Sequence, residues 1–241
     1  MGRDLGREVY FNGKNNNIKK TLDDKYDGSV KSLVNITRPY LRIGGNFLQV
    51  YKNFHHYRDE IRQLYTCRAS LMEKVHLYAK KLIKRDFVEF YLQETTKKFL
   101  LPALNFSLNH LKKTQFMNIS LLFIGDDANF VKNLTLHHLR ISNSYIAEGL
   151  SPGGDMCLAI NFCNSFLLSS SGSTFGWWMA YLLSDKAPVF FNSKITKSGK
   201  KYGKSRWEED IYLKEWIAIN VNNGQAYQEI KSWQNNQSII L

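Results

Sequence analysis

The chain is 241 residues long, 44% hydrophobic and 14% aromatic, with a net charge of +12 and a pI of about 9.5. That length holds one large domain or two small ones, and the apolar content excludes a disordered chain. The charge points to anionic partners (nucleic acid, a membrane surface or a phosphorylated ligand) or simply to solvated helix faces.

Residues 1–36 are polar, with asparagines running from Asn15 to Asn17, and read as an N-terminal extension. Residues 37–54 mix aromatics with Gly44 and Gly45 and suggest a strand, a turn and an irregular surface. Residues 56–66 and 70–84 read as helices. In the second, Leu71, Val75, Tyr78 and Leu82 make one apolar stripe, and Ser70 with Glu73 fits a capping box. A third helical stretch covers residues 93–113, where Pro102 predicts a kink or a start near Leu101. Residues 37–115 are therefore expected to be mainly helical.

After Asn118 the run ISLLFIG reads as a strand buried on both faces, ending at Asp126 and Asp127, with a helix from residue 128. The stretch from Asp155 to Ser170 reads as helix then strand, the strand holding Phe166, Leu167 and Leu168. GSTFGWWMAYLL starts a helix at once, and residues 187–192 make another strand. This alternation predicts an α/β domain over 116–222 with a mainly parallel, Rossmann-type sheet flanked by helices, followed by a tail at 223–241.

The basic residues are spread along the chain: Lys80, Lys81, Lys84 and Arg85, then Lys97 and Lys98, then Lys194 to Arg206. No zinc-finger spacing or RNA-binding aromatic motif accompanies them, so nucleic acid is the weak reading. The cysteines are Cys67, Cys157 and Cys163; an odd count sets no disulfide framework. One pair plus a free thiol stays open, with structural thiols as the default, and no His near Cys157 or Cys163 suggests zinc. No run of 18 apolar residues, no signal peptide and no myristoylation signal opens the chain, which taken alone reads as soluble and intracellular. Against that stand five N-glycosylation sequons, at Asn35, Asn105, Asn118, Asn133 and Asn236. Chance gives roughly two or three, so the excess fits a lumenal protein.

In open α/β sheets ligands bind at the carboxyl ends of the strands. Gly125-Asp126-Asp127 is one such end. The better one is Ser169 to Gly176, where a strand passes through Ser and Gly into a helix. Helix first-turn N–H groups and the dipole favour an anion there. Ser173 and Thr174 add hydroxyls, and Gly172 and Gly176 permit close backbone approach, so a phosphate or diphosphate suits the turn. The plainer alternative is that Ser or Thr only caps the helix. For Asp126 and Asp127 capping is the leading reading; for His137, His138 and Glu148, a surface or capping role.

The segment Asp155–Leu182, with SGSTFGWWMAY at its centre, resembles a motif of the α-1,2-fucosyltransferase family, glycosyltransferase family 11. In that family an acidic residue opens a helix, a buried strand follows, and S/T-x-F/S-x-W forms a phosphate-facing turn. Asp210–Ile217 is similar to the family's closing motif, with Lys214 where a proline is usual. Phe123–Asp127 looks like its preceding strand, and Leu41–Phe54 like an upstream segment of the nematode-like branch. The resemblance implies a GT-B-like fold and transfer of fucose from GDP-fucose to the 2-hydroxyl of a terminal galactose on a glycan. It implies no cofactor and no metal, since basic side chains and helix N-termini neutralise the diphosphate. Ser173, Thr174, Phe175 and Gly176 would face the diphosphate, Asp155 the base or ribose, and Trp177 and Trp178 would pack behind the turn. Residues 37–115 would be a remnant of the acceptor-side half. The location implied is the lumenal side of the Golgi membrane, the anchor being absent from this chain.

One departure is visible. The family motif H-x-R-R-G-D, whose arginines grip the diphosphate, does not occur; the matching place reads LIKRDFVEF, leaving Arg85 and Asp86 as its only residues. The helix at 71–84 is expected to run straight into Asp86, the strand before the motif is expected to be missing, and activity is in doubt. Two other classes stay open: an inactive homologue that binds glycan or nucleotide, and a basic nucleic-acid binder. No residue stands out as the catalytic base.

Overall fold

Apolar runs without alternation form the centre of the sheet. The structure, a computed structural model, describes residues 51–82, 87–92, 97–114, 118–125, 127–194 and 206–235. The chain divides into units at Met1–Tyr65 and Thr66–Leu241. In the first, single 3-10 turns at Tyr51–Asn53 and His55–Tyr57 precede helix α1 (Arg58–Leu64); residues 37–50 lie outside the described residues.

The second unit runs α2 (Ala69–Leu82), β1 (Phe87–Leu92), α3 (Lys97–Thr114), β2 (Ser120–Gly125), α4 (Ala128–Lys132), β3 (Asn143–Ile146), α5 (Pro152–Phe162), β4 (Cys163–Leu168), α6 (Thr174–Leu182), β5 (Val189–Asn192), α7 (Arg206–Ile211), β6 (Ile217–Asn222), β7 (Gln225–Gln228) and α8 (Ser232–Asn235). Its sheet has the order β3-β2-β1-β4-β5-β6-β7. Every neighbouring pair is parallel except β6 and β7. This is the doubly wound 3-2-1-4-5-6 arrangement with an added antiparallel edge, and the strand order reverses between β1 and β4. The α/β expectation holds, with helices flanking a parallel sheet.

Period-two alternation assigns the faces. Leu121, Phe123, Leu167, Phe190 and Ile219 join the core that α3 covers with Phe99, Leu100, Ala103, Leu104, Leu108 and Leu111. Their neighbours Leu122, Ile124, Phe166, Leu168, Phe191 and Ala218 are equally buried on the opposite face. Helix α2 packs on α5, and α5 packs on α6.

Several expectations are corrected. Phe87–Leu92, after Asp86, where no strand was expected, is β1, paired on both sides, at the middle of the sheet; the strand expected to be missing belongs upstream of Asp86, where residues 83–86 lie outside the described residues. FVEFYL is rich in strand-forming aromatic and β-branched residues, but only the open edges of β2 and β4 make it a strand. Helix α2 starts at Ala69, so Ser70 lies in its first turn instead of capping it. Helix α3 starts at Lys97 and runs through Pro102; its continuous buried stripe outweighs one lost N–H bond. Cys67 and Cys157 form a disulfide, with Cα atoms 6.1 Å apart, which replaces the reading of all three cysteines as thiols; Cys163 remains a buried thiol. A separation of 90 residues says nothing about proximity; the α2–α5 packing creates it. The segment read as a tail contains β7 and α8. Among the described residues no helix is long and apolar enough to cross a membrane.

Candidate functional site

At the carboxyl end of β4 the chain turns through Ser169–Gly172, and Ser173 caps α6. Ser173 is extended (φ −75°, ψ 119°), and its hydroxyl accepts the Gly176 N–H at 3.2 Å. That is the capping arrangement expected of a Ser before a helix. The hydroxyl of Ser173 is thus committed to the cap, and the remaining first-turn N–H groups point outward from the sheet's carboxyl end. Thr174 Oγ1 is buried with no hydrogen-bond partner among the described residues. Phe175 is half-buried and Gly176 buried. Gly172 is exposed, and a Cβ added to it would meet nothing within 4 Å.

Four side chains hold the turn. Ser171 Oγ donates to the Asn192 carbonyl at 2.6 Å, and Asn192 Nδ2 donates to the Ser169 carbonyl at 3.5 Å. The Tyr212 hydroxyl donates to the Ser171 carbonyl at 2.8 Å. Trp177 Nε1 donates to the Ile211 carbonyl at 2.8 Å, tying α6 to α7. Stacking completes the frame: Phe191 on Tyr212 at 4.2 Å and Trp177 on Tyr181 at 4.8 Å. Burial, then the charge of Glu208, pushes the Tyr212 phenol far above its usual range despite the bond to Ser171. It therefore stays a neutral donor at any physiological pH.

Asp155 lies in the first turn of α5, behind the N-cap Ser151, whose hydroxyl accepts the Gly154 N–H at 3.2 Å. Helices α5 and α6 each leave the carboxyl end of a parallel strand and pack together, so Asp155 and the Ser173 turn share one end of the sheet. Behind Asp155, the Tyr78 hydroxyl donates to the Ile146 carbonyl at 3.2 Å and accepts the Glu148 N–H at 2.9 Å. Burial chiefly, and the nearby Asp155 and Glu148 charges, hold its pKa up against the bond from Glu148.

The family 11 profile, "Glycosyl transferase family 11", matches residues 102–220, from α3 through β6, and so includes both the turn and Tyr212. Over that span the chain is similar to glycosyl transferase family 11. Relatives in Caenorhabditis elegans extend the likeness. A protein named as a candidate glycosyltransferase is 22% identical over 208 residues, 79% of this chain and 57% of the relative. One named as a candidate galactoside 2-alpha-L-fucosyltransferase is 23% identical over 207 residues, covering 80% and 56%. A galactoside 2-alpha-L-fucosyltransferase is 24% identical over 219 residues, covering 77% and 54%. The chain thus spans little more than half the length of these relatives.

Other residues singled out in the sequence fall as follows. Arg85, Asp86 and Asp126 lie outside the described residues, as do Asn35 and Asn236. Asp127 caps α4, accepting the Phe130 N–H at 2.8 Å. Glu148 pairs with Lys132 at 2.7 Å, while His137 and His138 are exposed. Asn105, Asn118 and Asn133 are exposed. Trp177 is fully buried, whereas Trp178 is only half-buried. Sequence reading missed Asn192 as a brace of the turn. Its only local signal was a polar residue ending a strand.

Proposed function

We propose that this chain carries the donor-binding half of a galactoside 2-α-L-fucosyltransferase. GDP-fucose would sit with its diphosphate on the Ser169–Gly176 turn, and fucose would pass to the 2-hydroxyl of a terminal galactose on a glycan. The observation that carries this reading is the braced turn at the carboxyl end of β4, beside the strand-order reversal where doubly wound sheets take nucleotides. Gly172 supports it, because neither the protein's own packing nor a positive φ calls for glycine there. The chemistry asked of these residues is to fix the leaving diphosphate with N–H groups and a helix dipole, so that charge developing on it meets preorganised donors. Asp155 would meet the base or ribose. The exposed sequons and the Cys67–Cys157 disulfide support a lumenal location, such as the Golgi, where disulfides persist.

A second reading is favoured by one sequence observation, the lack of H-x-R-R-G. Without that arginine pair the chain would bind nucleotide and transfer fucose poorly or not at all. Calorimetric titration with GDP-fucose, paired with a turnover assay on a galactose-terminated acceptor, separates the two. Binding with turnover supports the transferase, and binding alone supports the inactive relative. No binding removes both.

A further inference from the structure

The segment after β7 closes a ring of contacts around the candidate donor turn. The Lys231 ammonium is 13% exposed and lies 3.1 Å from Glu208 Oε2 and 3.0 Å from Glu229 Oε1. From it two arms run to the same residue. Along the first, Glu229 Oε2 accepts the Ser193 hydroxyl at 2.6 Å and the Asn220 amide at 2.9 Å. Ser193 is bonded in the chain to Asn192, whose carbonyl accepts Ser171 Oγ at 2.6 Å. Along the second, the Glu208 carbonyl accepts the Tyr212 N–H at 2.9 Å, and the Tyr212 hydroxyl donates to the Ser171 carbonyl at 2.8 Å. The Lys231 ammonium also reaches the Ser193 carbonyl at 3.5 Å.

We propose that Lys231 is a positioning residue for the Ser169–Gly176 turn, a latch whose single ammonium holds both arms that end on Ser171. The reason lies in what its removal leaves behind. Glu208 and Glu229 converge on it from different elements, and without the cation two partly buried carboxylates face each other. Like charges at that spacing repel, and an ion pair broken on one side is destabilising out of proportion to what the intact pair contributes. The strain falls where the carboxylates are anchored, on Ser193 and on the α7 turn that carries Tyr212. Both anchors lead to Ser171. The functional consequence rests on the reading of this turn as the diphosphate site; the mechanical coupling does not.

Amide hydrogen exchange on the full chain tests the coupling without a ligand. In Lys231→Met, peptides covering residues 169–177 should exchange about tenfold faster, while the β2 peptide 120–125 changes less than about twofold. Lys231→Arg should restore the wild-type rate. Unchanged exchange over 169–177, or an equal rise in β2, overturns the latch. If Lys231→Met does not fold, Ser193→Ala cuts one arm alone, and the same two readings apply to it. GDP titration is run beside it. Wild-type protein that fails to bind GDP ends the donor-site reading and leaves the exchange result to judge the latch. Binding that weakens about tenfold in Lys231→Met and recovers in Lys231→Arg supports both.

Discussion

The phenol of Tyr212 donates to the carbonyl of Ser171 across 2.8 Å, joining residues 41 apart in sequence, both buried. This bond links the two motifs by which the chain resembles family 11, the turn and the closing segment. Tyr212→Phe keeps the ring stacked on Phe191 and leaves the Ser171 carbonyl without that donor. The expected cost is about 1–2 kcal/mol, which lowers the melting temperature by roughly 2–6 °C. Differential scanning calorimetry checks it, and an unchanged melting point would remove Tyr212 as a brace.

Gly172 and Gly154 should respond oppositely to alanine. At Gly172 the new Cβ meets nothing within 4 Å, so Gly172→Ala should leave the melting temperature within about 1 °C. If a diphosphate approaches that backbone, the same change should weaken GDP binding several-fold, at roughly 1 kcal/mol. At Gly154 a Cβ would stand 3.2 Å from Leu150 Cβ, inside buried packing. Gly154→Ala should therefore cost about 1–3 kcal/mol of stability.

Thiol counting tests the disulfide. Unfolded, unreduced protein should react with one equivalent of a thiol reagent, from Cys163, and reduced protein with three. Folded protein should react slowly, because Cys163 is buried. Reduction frees a loop of 90 residues, which in the chain-entropy account is worth up to about 4–5 kcal/mol. The melting temperature of reduced protein should fall accordingly.

The Lys231 ring sets a pH window. Burial tends to raise the Glu229 carboxyl, but hydrogen bonds from Ser193, Lys231 and Asn220 outweigh it and hold it below the usual 4.5. A depressed carboxylate contributes stability above its ordinary value, lost as pH falls through its folded one. Lys231 runs the other way. Burial lowers it, Glu229 and Glu208 more than offset that, and it sits above the usual 10.5. Its contribution is full below 10.5 and is lost as pH rises through the folded value. Glu229→Gln should flatten the acid limb below pH 4.5 and also shrink the alkaline limb, because Glu229 is a main cause of the raised Lys231 value and only Glu208 then remains to support it. A denaturation series at several pH values reads both limbs.

Local pattern was enough for part of this protein. The run SLLFIG has no polar alternation, so it had to be buried on both faces, and β2 is. Ser173 followed by an apolar helix announced the cap, and the structure has it with Gly176 as donor. The turn that resembles the family motif lies within one stretch of chain and was legible for that reason. Tertiary structure decided the rest. FVEFYL is a strand because β2 and β4 offer it two open edges. Cys67 meets Cys157 because α2 packs on α5. Glu208, Glu229 and Lys231 are ordinary surface residues by type, and only the arrival of α7 and the segment after β7 at one spot gives their charges a shared, partly dry site. Pattern reads what neighbours in sequence do to each other. Contacts made across tens of residues depend on where the sheet brings the chain back.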